Sequence, residues 1–217
     1  MRTINGIGRA LRAASLSATG CVRISRRDLS GVLYQVNATV DGRLCRVQIM
    51  GPAAAVIERF SHHVDSVRAR RAAGFLPYPH NHVLFVPTTP QPIVRRKPVR
   101  LLTLSAGAAT EIMYRMDFAT FLFRDAETGV DAVVYRVGDQ QVGLMRRSHV
   151  STAGTASRRI VVDSGVAETI PEPAAADRLC RHGLPSLFFV DPATARGRLL
   201  YRRFDGHLSL LEACDRT

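Results

Sequence analysis

Near the start of the chain, apolar and polar positions alternate with a period of two. Val22 and Ile24 alternate with Arg23 and Ser25, and Val32, Tyr34, Val36, Ala38 and Val40 alternate with Leu33, Gln35, Asn37 and Thr39. With a third run from Leu44 to Met50, this pattern predicts three half-buried strands over 21–27, 32–40 and 44–50. Asp41-Gly42 separates the last two, and a type I′ hairpin turn needs this residue choice because both central positions take positive φ. The period then changes. Gly51-Pro52 opens a stretch in which Val56, Phe60, Val64 and Val67 recur at helical spacing, predicting a helix from Pro52 to about Arg71. Ahead of the strands, Ile4, Ile7, Leu11 and Ala14 share one helical face with Arg2, Arg9 and Arg12 opposite, which predicts a short amphipathic helix over 4–15.

The second half of the chain repeats itself. Shifted by 66 positions without a gap, Phe123, Asp125, Thr128, Tyr135, Arg136, Asp139 and Leu144 fall on Phe189, Asp191, Thr194, Tyr201, Arg202, Asp205 and Leu210. A fixed period means that one folding unit occurs twice. Each copy reads as strand, helix and three strands. In the first copy the helix lies near Ser105–Met116, with strands near Phe118–Arg124, Asp131–Val137 and Gln141–Arg146. In the second the helix lies near Pro173–His182, with strands near Ser186–Val190, Arg198–Arg203 and His207–Leu211. The fold class is therefore α+β, and the domains are 1–73, 93–147 and 159–217. The linkers between them are 74–92, which carries Pro77, Pro79, Pro87, Pro90 and Pro92, and 148–158, rich in Ser, Thr, Ala and Gly. A unit of about 55 residues buries too little surface to be stable alone. The repeated strand positions Phe121, Phe123, Val133 and Tyr135, with Leu187, Phe189, Leu199 and Tyr201, are the candidates for pairing one copy with the other.

Charge separates the two halves. The formal net charge is +12, and residues 1–100 hold 16 Lys plus Arg against 4 Asp plus Glu, whereas residues 101–217 hold 14 of each. An anionic partner is expected on the N-terminal part. The candidate contacts are Arg2, Arg9, Arg12, Arg23, Arg26, Arg27, Arg46, Arg59, His62, His63, Arg70 and Arg71. Arg59, His62, His63 and Arg70 follow one flank of the second helix at spacings of three and four. His62 and His63 read as a helical pair rather than as metal ligands, since no acidic or cysteine partner sits nearby.

Other chemistry is sparse. There is no Walker loop, G-x-S-x-G, H-E-x-x-H or dinucleotide fingerprint. Gly6-Ile7-Gly8 lacks both a preceding strand and a third glycine. Asp125 and Glu127 read as turn chemistry, since Asp191 repeats without a second acid. Cys21, Cys45, Cys180 and Cys214 are scattered with no C-x-x-C pair, which predicts reduced thiols and no zinc site. No apolar run approaches the ~18 residues of a membrane span, and the first residues lack a signal peptide's apolar region, so a cytoplasmic protein is expected.

Several motifs resemble a known family. Ile93-Val94-Arg95-Arg96-Lys97, Asp117-Phe118-Ala119-Thr120-Phe121-Leu122-Phe123-Arg124-Asp125-Ala126-Glu127-Thr128-Gly129, Val133-Val134-Tyr135-Arg136 and Val142-Gly143-Leu144-Met145 look like the C-terminal domain of the long-form ribosome hibernation promoting factors, the ribosome-associated inhibitor or sigma-54 modulation family. The second copy ends Tyr201-Arg202-Arg203-Phe204-Asp205-Gly206, close to that family's Tyr-Arg-Arg-x-Asp-Gly. Twin C-terminal copies resemble the actinobacterial subgroup that includes the dormancy-associated translation inhibitors. The copies depart from each other: the first has Tyr135-Arg136-Val137-Gly138-Asp139-Gln140 in place of that ending, and the second has Ala195 where the first has Gly129.

The resemblance implies a β-α-β-β-β-α N-terminal domain, here without a counterpart of the family's first strand, followed by two tandem β-α-β-β-β domains. The sheet edge so exposed is expected to be covered by another segment, for which Val83-Leu84-Phe85-Val86 is the candidate. It further implies a non-enzymatic, ribosome-binding translation inhibitor. Its basic N-terminal module would dock on small-subunit ribosomal RNA and occlude the messenger and transfer RNA channel. Neither cofactor, metal nor small-molecule substrate is expected, and no membrane. The alternative is a regulatory protein-interaction scaffold with paired C-terminal domains and no ribosome role.

Overall fold

The computed structural model describes Arg9 and residues 20–27, 31–73, 87, 89–137, 141–148, 160–163 and 165–214. The chain forms two compact units, one of Met1–Val83 with the corner Tyr114–Phe118, the other of Leu84–Met113 with Ala119–Thr217. The helix predicted over 4–15 lies outside the described residues except for Arg9, which is helical and exposed. The 148–158 linker, apart from Ser148, and the candidate cover Val83–Val86 also lie outside them.

In the first unit the predicted strands form one antiparallel sheet, β1 (Gly20–Arg27), β2 (Gly31–Val40) and β3 (Arg43–Met50), in the order β1-β2-β3. The β2–β3 turn has φ 49° at Asp41 and 76° at Gly42, the left-handed pair that a type I′ turn requires. Helix α1 (Ala53–Ala73) follows. Tyr34, Val36, Ala38 and Val40 of β2 and Cys45 and Val47 of β3 pack on Val56, Phe60 and Val64 of α1, with Val67 at the margin. Alternation in the strands and the 3–4 spacing in the helix thus bring the same apolar sets together as the sequence predicts.

In the second unit there are two sheets. One contains β5 (Thr103–Leu104), β6 (Thr120–Asp125), β7 (Asp131–Val137), β8 (Gln141–Arg146) and β9 (Ile160–Val162), in that order; α2 (Ala106–Arg115) precedes β6. The other runs β10 (Ser186–Val190), β11 (Gly197–Arg202), β12 (Leu208–Cys214) and then β4 (Ile93–Arg100), with α3 (Glu172–Arg181) preceding β10.

The sheets do not coincide with the sequence repeats. β4 opens the first repeat yet pairs in parallel with β12 of the second, and β9 opens the second yet pairs in parallel with β8 of the first. Gly143 faces Val161 across one junction and Ser209 faces Arg95 across the other, the same register after a shift of 66. Exchange of equivalent strands preserves the pairing register, so periodicity reveals that strands are equivalent without revealing which copy each one joins. Two short parallel pairings, Thr103 with Arg124 and Thr169 with Val190, obey the same 66-residue relation and carry no period that sequence reading could use.

The two faces of the β10-β11-β12-β4 sheet have different partners. Phe189, Leu200, Leu208 and Leu210 pack with Ala175 and Leu179 of α3. A second cluster joins residues of both sheets: Leu122 and Val133 from one, Phe188, Val190 and Leu199 from the other, and Ala167, with Val99, Tyr135, Met145 and Leu211 around it.

Candidate functional site

In the first unit, α1 covers one face of the sheet, which leaves the opposite face to the polar members of each alternating strand. There Arg23 pairs across to Gln35, Gln35 to Gln48, and Asn37 to Arg46. Arg23 is exposed, as is Arg43 beside the hairpin turn, while Gln35, Asn37, Arg46 and Gln48 are half-buried. Arg46 donates from Nε to Asn37 Oδ1 at 2.7 Å and its guanidinium lies 5.7 Å from the Phe118 ring centroid. This places guanidinium and amide groups side by side on one sheet face, an arrangement suited to phosphate and sugar contacts without base reading.

The remaining candidates divide. Arg9 and His62 are exposed. Arg26 and Arg27 belong to β1, and Arg70 and Arg71 to the last turns of α1. Arg2 and Arg12 lie outside the described residues. Arg59 and His63 are buried inside the unit: Arg59 reaches Asp117 Oδ1 at 3.4 Å, and His63 Nε2 lies 3.1 Å from the Arg115 carbonyl oxygen. Helical spacing puts these two on a flank beside the core stripe; the corner Tyr114–Phe118, distant in sequence, closes over that flank. The charge imbalance also narrows, because Arg95, Arg96, Lys97 and Arg100 sit on β4 in the second unit. Residues 1–73 retain twelve arginines against four acids.

Of the pairing candidates, Val133, Tyr135 and Leu199 belong to the cluster that joins the two sheets. Leu187 and Phe189 belong to the cluster beneath α3. Phe123 is fully buried and stacks on Phe121 at 6.4 Å. Tyr201 is half-buried, and its hydroxyl accepts from Lys97 Nζ at 2.8 Å. β6 supplies Leu122 to the shared cluster and β10 supplies Val190 and Phe188; Leu122 and Phe188 each lie one position from the residues singled out by motif. In a strand, one position is the difference between faces. Both are flanked by phenylalanine or leucine on each side, so alternation gives no signal there.

Polar contacts also join the two sheets. Thr120 Oγ1 and Ser186 Oγ, equivalent positions 66 apart, lie 2.8 Å from each other. Asp131 accepts from Arg196 Nε at 2.8 Å, Arg196 Nη2 at 3.2 Å and the Gly197 amide at 2.9 Å. Burial pushes its carboxyl up, but the bonds from Arg196 and Gly197 and the attraction of Arg196 and Arg147 outweigh this and hold it below the usual carboxylate range. On β4, Arg96 forms a two-pronged pair with Glu172 and lies 3.7 Å from Glu212. That bond draws Glu172 below its ordinary value despite partial burial.

A cleft of about 400 Å³ is lined by Arg100, Leu101, Thr103, Arg124, Arg196 and Cys214. Two of its guanidinium groups serve the fold, Arg196 on Asp131 and Arg124 on the Gly129 carbonyl. Cys45 and Cys180 are buried free thiols and Cys214 a half-buried one; burial raises Cys45 to about 11. Among the described residues no group of three or more His, Cys, Asp or Glu could hold a metal, and no helix is long and apolar enough to cross a membrane.

Comparison with known proteins gives this architecture a family. Residues 88–144 match the family described as sigma 54 modulation/S30EA ribosomal protein C terminus. The chain belongs to the sigma-54 modulation/S30EA ribosomal protein family. It is 34% identical over 223 residues to the dormancy associated translation inhibitor of Mycobacterium tuberculosis strain CDC 1551 / Oshkosh, and equally to that of strain ATCC 25618 / H37Rv, covering 97% of this chain and 82% of each relative.

Proposed function

We propose that this protein is a non-enzymatic translation inhibitor that binds the small ribosomal subunit through its first unit and blocks the path of messenger and transfer RNA. The observation that carries the reading is the near end-to-end similarity to proteins named dormancy associated translation inhibitors, joined to a first unit whose sheet face opposite α1 presents Arg23 beside Gln35, Asn37 and Arg46, with Arg43 exposed next to the hairpin turn. Binding by guanidinium groups to phosphate releases counterions, so association falls steeply with salt. The twin repeats close on each other within one chain, so the protein holds ribosomes singly. The shared apolar cluster and the reciprocal strand exchange support that pairing. The protein works in the cytoplasm, where ribosomes are.

Salt-dependent cosedimentation with ribosomes tests the reading. The triple variant Arg9→Glu/Arg23→Glu/Arg43→Glu changes three exposed positions, and such substitutions leave folding nearly intact. It should lose ribosome association at moderate salt with an unchanged circular dichroism spectrum. Undiminished cosedimentation of the folded variant contradicts the reading.

A further inference from the structure

Where two identical domains pair, each contact occurs twice, once on either side of the axis. Thr120 and Ser186, equivalent and 2.8 Å apart, mark that axis here. The charged contacts beside it occur once. Asp131 takes Arg196 and the Gly197 amide, but the 66-residue counterparts are Val130 for Arg196, and Asp131 itself for Gly197. Size follows the same rule. A Cβ on Gly197 would lie 2.8 Å from the Phe188 ring and 2.9 Å from Asp131 Cβ, whereas the counterpart of Phe188 is the smaller Leu122. Arg147 donates to the Ala195 carbonyl, and its counterpart is Ala213.

The exchanged strands carry the same one-sidedness. Arg96 of β4 meets Glu172 and Glu212 in the sheet it joins; in the sheet of its own repeat the corresponding residues are Ala106 and Arg146. Lys97 donates to Tyr201 at 2.8 Å, while at the other junction Tyr135 donates to Asp163 at 2.9 Å. Lys97 and Asp163 are counterparts of opposite charge.

Resting on the reading that the repeats pair within one chain, we propose that this pairing is heterotypic: each face and each exchanged strand fits the other repeat and not a second copy of its own kind. Two first repeats would bring two Asp131 carboxylates together with Val130 beside each. Two second repeats would leave Arg196 without its acid. A β4 held at home would set Arg96 toward Arg146. The complementarity makes the unit closed toward other chains of the same protein.

Cysteines on the axis test this in the full chain, with Cys21 and Cys214 replaced by serine. Facing side chains at hydrogen-bond distance suit a disulfide. Under mild oxidation Thr120→Cys/Ser186→Cys should cross-link within one chain at monomeric mass, while Thr120→Cys alone and Ser186→Cys alone should give no cross-linked dimer. Dimers linked 120 to 120 or 186 to 186, identified by peptide mapping, overturn the proposal. Dimers from the double variant only would contradict pairing within one chain while leaving heterotypic pairing in force. No cross-link in any variant overturns both. Adding Arg196→Glu to the double variant should slow cross-linking at least tenfold, with Arg196→Lys close to the parent; an unchanged rate for Arg196→Glu overturns the charge basis.

Discussion

Asp125 and Asp191 hold the same place in their repeats. Each opens the turn after a strand, Asp125 as the last residue of β6 and Asp191 just past β10; each accepts a hydroxyl bond from the threonine three residues on, Thr128 at 2.9 Å and Thr194 at 2.7 Å, and has its carbonyl bonded by the next amide along, Gly129 and Ala195. The arginines that answer them differ. Arg146 of β8 closes on Asp125 at 2.7 Å and reaches Glu127 at 3.2 Å. Asp191 instead takes Arg198 of β11 at 3.0 Å, and position 212, the counterpart of Arg146, is a glutamate facing Arg96 and Arg198. The turn fixes the carboxylate, while the cation comes from the adjacent strand in one copy and from the strand beyond it in the other. With its cation on β11, the second copy carries an acid at its position on β12, and that acid receives the arginine of an exchanged strand. Duplication preserved the frame, and charge made the copies distinguishable.

The frame itself should fail equally in both copies. Phe123→Ala and Phe189→Ala each empty a fully buried site and should each cost about 3 to 5 kcal/mol, read by urea denaturation of the full chain. A loss more than twofold larger in one copy would break the equivalence. The cations should not behave equally. Arg146→Ala removes a cation only 6% exposed from the buried Asp125 and should cost about 3 kcal/mol; Arg198→Ala, whose side chain is 19% exposed, should cost about half as much. Equal losses would show that the two solutions are energetically the same.

Acid should sharpen the contrast. Asp131, Glu172 and Asp191 all lie below their ordinary values in the folded chain. They bind protons less readily folded than unfolded, so they stabilise the second unit above the usual carboxylate range, and that contribution fades as pH falls through the lowered folded values. The melting temperature should be flat above pH ~5 and fall below pH ~4. Glu172→Gln should shrink that fall, and an unchanged profile would remove the Arg96 pair from the account.

The smallest effect concerns one backbone angle. Gly129 and its counterpart Ala195 have φ of 69° and 52°, and the second carries a Cβ where L residues are strained by about 1 to 2 kcal/mol. Ala195→Gly should gain under about 1 kcal/mol after the extra chain entropy of glycine, while Gly129→Ala should lose about 1 kcal/mol. A loss from Ala195→Gly would contradict the equivalence of the two turns.

Much of the fold was legible because it rests on local periods. Asp41-Gly42, the stripe of Val56, Phe60 and Val64, and the repeated Phe, Asp and Thr positions each state their own geometry. What could not be read depends on which distant segment arrives. Nothing local to Arg59 announces Asp117, 58 residues on, and nothing in Ile93–Arg100 says that it will join β12 rather than β8. Likewise Leu122 sits between two phenylalanines, so the face that meets the other sheet was hidden by an unbroken apolar run. The candidate nucleic-acid face was better marked, since Arg23 and Arg46 occupy the polar phase of clear alternation.

The proposed pairing of the two repeats within one chain is read most directly by light scattering of the 217-residue chain across micromolar concentrations. A constant mass of 23.8 kDa, with one cooperative unfolding transition for the second unit, is the predicted result. A stable dimer over the same range, with strands exchanged between chains, would contradict it.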